Sequence, residues 1–222
     1  MWIKICGIRD AATAQMVAGL MPDAMGLNFY AGTVRVVSPS TAADFSHHIP
    51  AEITPVGLFV NHSVAEIVEI TQQVPLRLLQ LHGDESPEFL AQLQARVSLP
   101  VVRAWRAGEE GLGPLAEYLA ECRERQVTLA AVLIDARVSG QYGGSGHTAP
   151  WELLREEYHT TEWPRLVLAG GLTPDNVAEA IETVRPWGVD VSSGVEREPG
   201  VKDPNLTRRF IELARQAAAG AE

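Results

Sequence analysis

RLVLAGGLTPDNVAEAIETV (residues 165–184) contains one complete structural unit. It opens with a continuous apolar run, turns on a Gly-Gly pair, and continues as an amphipathic stretch. A short apolar run that does not alternate suits a strand buried on both faces, as in a parallel sheet. An amphipathic stretch behind it suits the helix that carries the chain back for the next parallel strand. The unit therefore reads as a strand over 165–170, a glycine turn, and a helix over 173–184, started by Thr173-Pro174.

The same unit recurs outward in both directions. Strands are expected over 2–6, 23–29, 54–60, 76–81, 100–105, 129–134, 165–170 and 187–192. Helices are expected between and after them, over 11–20, 38–49, 63–74, 86–97, 113–126, 149–158, 173–184 and 203–219. Ser38-Pro39 and Ser86-Pro87 supply an N-cap followed by proline at the first helical position. Eight strand–helix units in series predict an α/β fold, a (β/α)8 TIM barrel, formed by residues 1–222 as one domain. A doubly wound open sheet is the runner-up, but it more often shows a glycine-rich fingerprint after the first strand, and CGIRDA (6–11) is not one.

Composition narrows the class. The 222 residues are 46% hydrophobic, enough for one full core. No apolar run approaches the roughly 20 residues of a membrane-spanning helix, and no secretory signal is visible. With 28 acidic against 18 basic residues and no basic cluster, neither nucleic acid nor membrane is an expected partner. The two cysteines, Cys6 and Cys122, form no disulfide framework and no metal spacing. A reduced, cytoplasmic protein is expected, with Cys122 a packing or surface residue on a helix.

In this barrel, active sites gather where strands end. After the seventh strand come Gly170 and Gly171. After the eighth come Ser192, Ser193 and Gly194, opening a short extra helix over 193–196. These two loops are the fold's usual phosphate cradle, built from backbone N–H groups. They could also be two tight loops without a ligand. Asp135 ends the sixth strand, where it is either a general acid or base or a loop-capping aspartate. GGSG (143–146) beyond it suits a closing loop or a plain connection.

Cys6 ends the first strand. It is a small buried hydrophobe or a thiolate base or nucleophile. Lys4, two residues earlier, points the same way, into the barrel. It either lowers the thiol's pKa or pairs with a carboxylate. Arg35, in the loop after the second strand, either holds a ligand carboxylate or is solvated. His82, ending the fourth strand, reads slightly better as a structural histidine.

KICGI (4–8), VGLFVN (56–61), LQLHGDE (79–85), LIDA (133–136) with GGSG, LAGGLTPDNV (168–177), and VDVSSGVE (189–196) with PGVKD (199–203) together resemble the phosphoribosylanthranilate isomerase family of tryptophan biosynthesis. The resemblance runs from Lys4 to about Phe210. It implies an Amadori rearrangement of N-(5-phosphoribosyl)anthranilate without metal or cofactor. By position, it makes Cys6 the general base and Asp135 the general acid. It gives Arg35 the anthranilate carboxylate, and has Gly170, Gly171, Asp190, Ser192, Ser193 and Gly194 form or shape the phosphate site. The chain departs from the family at Thr33-Val34-Arg35, where Ser-x-Arg with a nearby proline is usual, and at Asn28, where an apolar residue is usual. A related histidine-pathway isomerase would carry a carboxylate where this chain has Cys6. A phosphosugar-binding barrel without catalysis would need neither Cys6 nor Asp135. The expected partner is a small phosphosugar, and the expected assembly is a monomer or weak homodimer.

Overall fold

The computed structural model describes residues 1–106, 111–135, 151–159 and 161–220. The apolar runs become parallel strands: β1 (Trp2–Cys6), β2 (Ala24–Asn28), β3 (Thr54–Phe59), β4 (Leu78–Leu81), β5 (Val101–Arg106), β6 (Ala131–Asp135), β7 (Arg165–Ala169) and β8 (Gly188–Val191). Each pairs with the next, and β8 returns to β1 with Lys4 opposite Asp190, which closes the barrel. The helices are α1 (Ala11–Ala18), α2 (Pro39–Ser46), α3 (Val64–Gln73), α4 (Pro87–Gln94), α5 (Gly113–Glu124), α6 (Trp151–Glu157), α7 (Val177–Val184) and α8 (Pro204–Gly220). This is the (β/α)8 barrel that the sequence predicts.

Helix starts are fixed by local chemistry. Ser38 and Ser86 accept hydrogen bonds from the backbone N–H groups of Thr41 and Phe89, each with proline in the first turn. Ser63 and Glu66 form a reciprocal capping box at the start of α3. A cap of this kind is worth about 1 kcal/mol.

Alternation along each strand sorts side chains into two shells. Ile3, Ile5, Met25, Leu27, Leu79 and Leu81 face outward and join residues such as Leu90 and Phe210 in the large core under the helices. Ala24, Val56, Leu78, Val102, Leu133 and Val167 form a smaller core enclosed by the strands, with Trp2 packed against it. Trp2 stacks on Trp187 at 5.3 Å between ring centres, at the end where the strands begin. Lys4 and Cys6 share the inward register of Trp2, so the sheet itself carries both into the barrel interior.

Two local expectations are corrected. The segment expected to start the seventh helix at Thr173-Pro174 is a turn, and α7 begins at Val177. The Asn176 side chain accepts from Thr173 N–H and donates to the Gly171 carbonyl, offering the backbone a local alternative to helix. The extra helix expected over 193–196 is a three-residue 3-10 turn, Ser193–Val195, and it leads into an antiparallel hairpin, β9 (Glu196–Glu198) and β10 (Val201–Lys202). The expected closing loop, 143–146, lies outside the described residues.

Candidate active site

At the end of β1 the chain turns on Gly7, whose φ of 86° is a region open to glycine but costly for a side chain. The Gly7 and Ile8 N–H groups both donate to the Gly26 carbonyl at 2.9 Å, tying the turn to β2. Cys6 is held just before it, 5% exposed. Its strand partner is Gly26, and a Cβ there would lie 2.7 Å from Cys6 Sγ and 3.0 Å from Lys4 Cε. The thiol and the lysine stem therefore occupy the space that Gly26 leaves open.

Lys4 is fully buried and donates to Asp190 Oδ2 at 2.9 Å. Both roles open to Lys4 are seen: it pairs with a carboxylate, and it pulls the Cys6 pKa down, though by less than burial raises it. Burial works against its charge, but Asp190 and Cys6 outweigh burial and raise its pKa. For Cys6 the balance is reversed. Burial pushes the thiol up, and the pull of the Lys4 ammonium does not overcome it. Lys4 therefore limits the rise in the thiol's pKa and does not bring it below the ordinary value. Asp190 Oδ1 is buried with no hydrogen-bond partner among the described residues. An unsatisfied buried oxygen of this kind costs about 1–3 kcal/mol.

Arg35 presents a fork to Glu196. Its Nε donates to Oε1 at 2.7 Å and its Nη2 to Oε2 at 2.6 Å. Glu196 also accepts from Lys202 Nζ at 2.8 Å and from Gly200 N–H at 3.1 Å. Burial disfavours the charge on Glu196, but the hydrogen bonds from Arg35, Lys202 and Gly200 prevail and hold its pKa at about 2. Lys202 is itself buried. It also donates to the Ser192 carbonyl at 2.9 Å, and Ser192 Oγ donates to the Cys6 carbonyl at 3.2 Å. Burial lowers the Lys202 pKa against the pull of Glu196.

The loops after β7 and β8 meet backbone to backbone. A Cβ on Gly194 would lie 1.8 Å from the Leu172 carbonyl oxygen, so no side chain fits without parting the loops. Gly194→Ala is expected to lower stability by about 1–3 kcal/mol through this overlap. The shift of the urea midpoint at unchanged m-value checks it.

Asp135 ends β6, half-buried, in register with Arg106 on one side and Ala169 on the other. His82 ends the β4 run, with Nδ1 3.0 Å from Gln80 Nε2. Burial holds its imidazole below the ordinary pKa against the attraction of Asp135 and Asp190. Cys6, Arg35, Asp135 and Asp190 line one cleft of about 390 Å³. Gly170, Gly171, Ser192, Ser193 and Gly194 line it too, as does His82. Every residue to which the family resemblance gives a role is thus on one surface, with Lys4 buried beneath it. Asp190 lines the cleft with these loops, and its Oδ2 accepts from Lys4. Cys122 lies elsewhere, buried in the outer core, where burial raises its thiol to about 11.

The sequence alone points to no role for Glu196 or Lys202. The signal available was the Pro199-Gly200 turn between them, a hairpin signature that brings residues on its two sides together.

The family model "N-(5'phosphoribosyl)anthranilate (PRA) isomerase" matches residues 3–213. The N-(5'-phosphoribosyl)anthranilate isomerase of Ralstonia pickettii is 41% identical over 225 residues, covering 98% of this chain and 94% of that protein. The solved phosphoribosyl anthranilate isomerase of Thermotoga maritima superposes with a TM-score of 0.82 at 35% identity, covering 97% of this chain and 99% of that one. A further structure, of a phosphoribosyl anthranilate isomerase in complex with reduced 1-(o-carboxyphenylamino)-1-deoxyribulose 5-phosphate, superposes at 0.79 with 32% identity, covering 97% and 99%. With the family model spanning nearly all of the barrel and relatives aligned almost end to end, the chain belongs to the N-(5'-phosphoribosyl)anthranilate isomerase family.

Proposed function

We propose that the chain converts N-(5'-phosphoribosyl)anthranilate into 1-(2-carboxyphenylamino)-1-deoxyribulose 5-phosphate, with Cys6 as general base and Asp135 as general acid. The observation that carries this reading is the single cleft into which β1 and β6 deliver a thiol and a carboxyl group, beside a paired backbone cradle and an arginine. An Amadori rearrangement needs an acid and a base on different atoms of one substrate, and separate strand ends supply them. Asp135, as a carboxylic acid, gives its proton to the furanose ring oxygen, and the C1–O bond breaks to leave a protonated Schiff base. Cys6, as a thiolate, takes the proton from C2, and the electron pair moves into an enolamine that tautomerises to the ketone. General acid–base assistance is worth about 10²- to 10⁴-fold per group.

The remaining residues position the substrate. Gly170, Gly171, Ser192, Ser193 and Gly194 take the phosphate, and Arg35 takes the anthranilate carboxylate, so both anionic ends are held and the reacting carbons lie between. Lys4 supplies the buried positive charge against which a thiolate forms, and Asp190 keeps that lysine charged. The unpartnered Asp190 Oδ1 offers an acceptor to a sugar hydroxyl. The reading treats residues 1–222 as one domain acting on a free small molecule. The free thiols of Cys6 and Cys122 are in keeping with work in the cytoplasm. Among the described residues no helix is long and apolar enough to cross a membrane.

Turnover of phosphoribosylanthranilate generated in situ, followed through its fluorescence, tests the activity. Loss of fluorescence at a rate proportional to enzyme is the expected result. A protein that binds phosphosugars and leaves the fluorescence unchanged would overturn it.

A further inference from the structure

We propose that Glu196 is a positioning residue. It fixes the direction in which Arg35 presents its guanidinium to the substrate carboxylate, and Lys202 holds it in place for this. The inference deepens the reading above and rests on the assignment of Arg35 to that carboxylate.

Arg35 sits in a loop, and its side chain is 23% exposed. A long side chain in such a place ordinarily samples many rotamers, and binding must freeze them. Here the freezing is done in advance. The Nε/Nη2 edge is taken by Glu196, whose own side chain is only 3% exposed. That leaves the edge carrying Nη1 to meet a ligand. The stem passes close over Gly7, where a Cβ would lie 2.9 Å from Arg35 Cδ. Lys202 ties Glu196 to the Ser192 carbonyl, and Ser192 belongs to the loop assigned to the phosphate. The two ends of the substrate are thus gripped by groups joined through a single carboxylate. Arg35, Lys202 and Glu196 together carry one net positive charge, which a substrate carboxylate would neutralise.

Charge and geometry make opposite forecasts for Glu196→Gln. Removing a negative charge beside Arg35 would tighten carboxylate binding if electrostatics alone mattered. Loss of positioning weakens it. The expected result is a KM raised about 3- to 10-fold, the scale of one side chain left to be immobilised on binding, with kcat within threefold of wild type. Affinity for the reduced product analogue should fall by the same factor, while affinity for the corresponding phenylamino compound lacking the carboxylate should not change. In an Arg35→Met background, Glu196→Gln should have no further effect on KM, because its route of action is gone.

An unchanged or lowered KM, or equal weakening of both analogues, would overturn the proposal. So would a full effect persisting without Arg35. If Glu196→Gln does not fold, Glu196→Asp keeps the charge and withdraws the reach by one methylene; it should raise KM likewise, and an unchanged KM there overturns the proposal too. An inactive wild type would sink the parent reading. An active wild type with an unaffected Glu196→Gln sinks only this one.

Discussion

Cys6→Ser is expected to lower kcat by about 10²- to 10⁴-fold while leaving the affinity for the reduced product analogue nearly unchanged. Serine keeps the shape and places its oxygen in the same gap beside Gly26. It lacks an ionisation that a protein can bring within reach, so no base remains to take the C2 proton. Burial also hinders a water molecule from standing in, since Cys6 is only 5% exposed. The pH profile provides a second readout. The thiol's pKa is raised by burial, so on the acid side kcat/KM should climb with pH as the thiolate forms. That limb should be missing from the residual activity of the serine variant. Full activity in Cys6→Ser would make the cysteine a packing residue and leave the base unassigned.

Asp135→Asn is expected to cost about 10²- to 10⁴-fold in kcat by a different route. The amide has almost the size of the carboxyl group and still offers a donor and an acceptor, but it has no acidic proton to release. Ring opening then becomes the slow step, where in Cys6→Ser proton removal from C2 is slow. Substrate deuterated at C2 separates the two. A primary isotope effect on kcat should be expressed in Cys6→Ser and suppressed in Asp135→Asn. Equal isotope effects in both variants would reject the division of labour between them. The double variant should lose far less than the product of the single losses, because groups that act on one reaction path do not contribute independently.

The barrel was legible because its strands are buried on both faces. Continuous runs such as AVLI (131–134) and LVLA (166–169) need no partner to be recognised. The Ser-Pro helix starts were legible for a similar reason, since their chemistry is complete within four residues. Cys6, Asp135 and the two glycine-bearing loops followed from strand ends once the topology was fixed. The start of the seventh helix was misplaced because Pro174 fits a first turn, and only the structure shows the Asn176 side chain occupying the backbone groups concerned. The partner of Arg35 lies 161 residues away, in a hairpin whose strands are three and two residues long. No periodicity reports a pairing of that range. Lys4 shows the same limit. Its inward direction was readable, but its choice of Asp190 depends on β8 lying beside β1.

Closure of the barrel between its first and last strands also orders events in time. Lys4 and Cys6 leave the ribosome nearly two hundred residues before Asp190, Glu196 and Lys202. At about 5–20 residues per second, that gap is roughly 10–40 s. Through all of it the lysine destined for complete burial has no counter-ion, and the cysteine has no seam to lie in. The nascent chain can build strand–helix units one after another, but it carries no assembled site until β8 arrives. The eighth strand and the hairpin behind it therefore supply the partners that the first strand has awaited throughout.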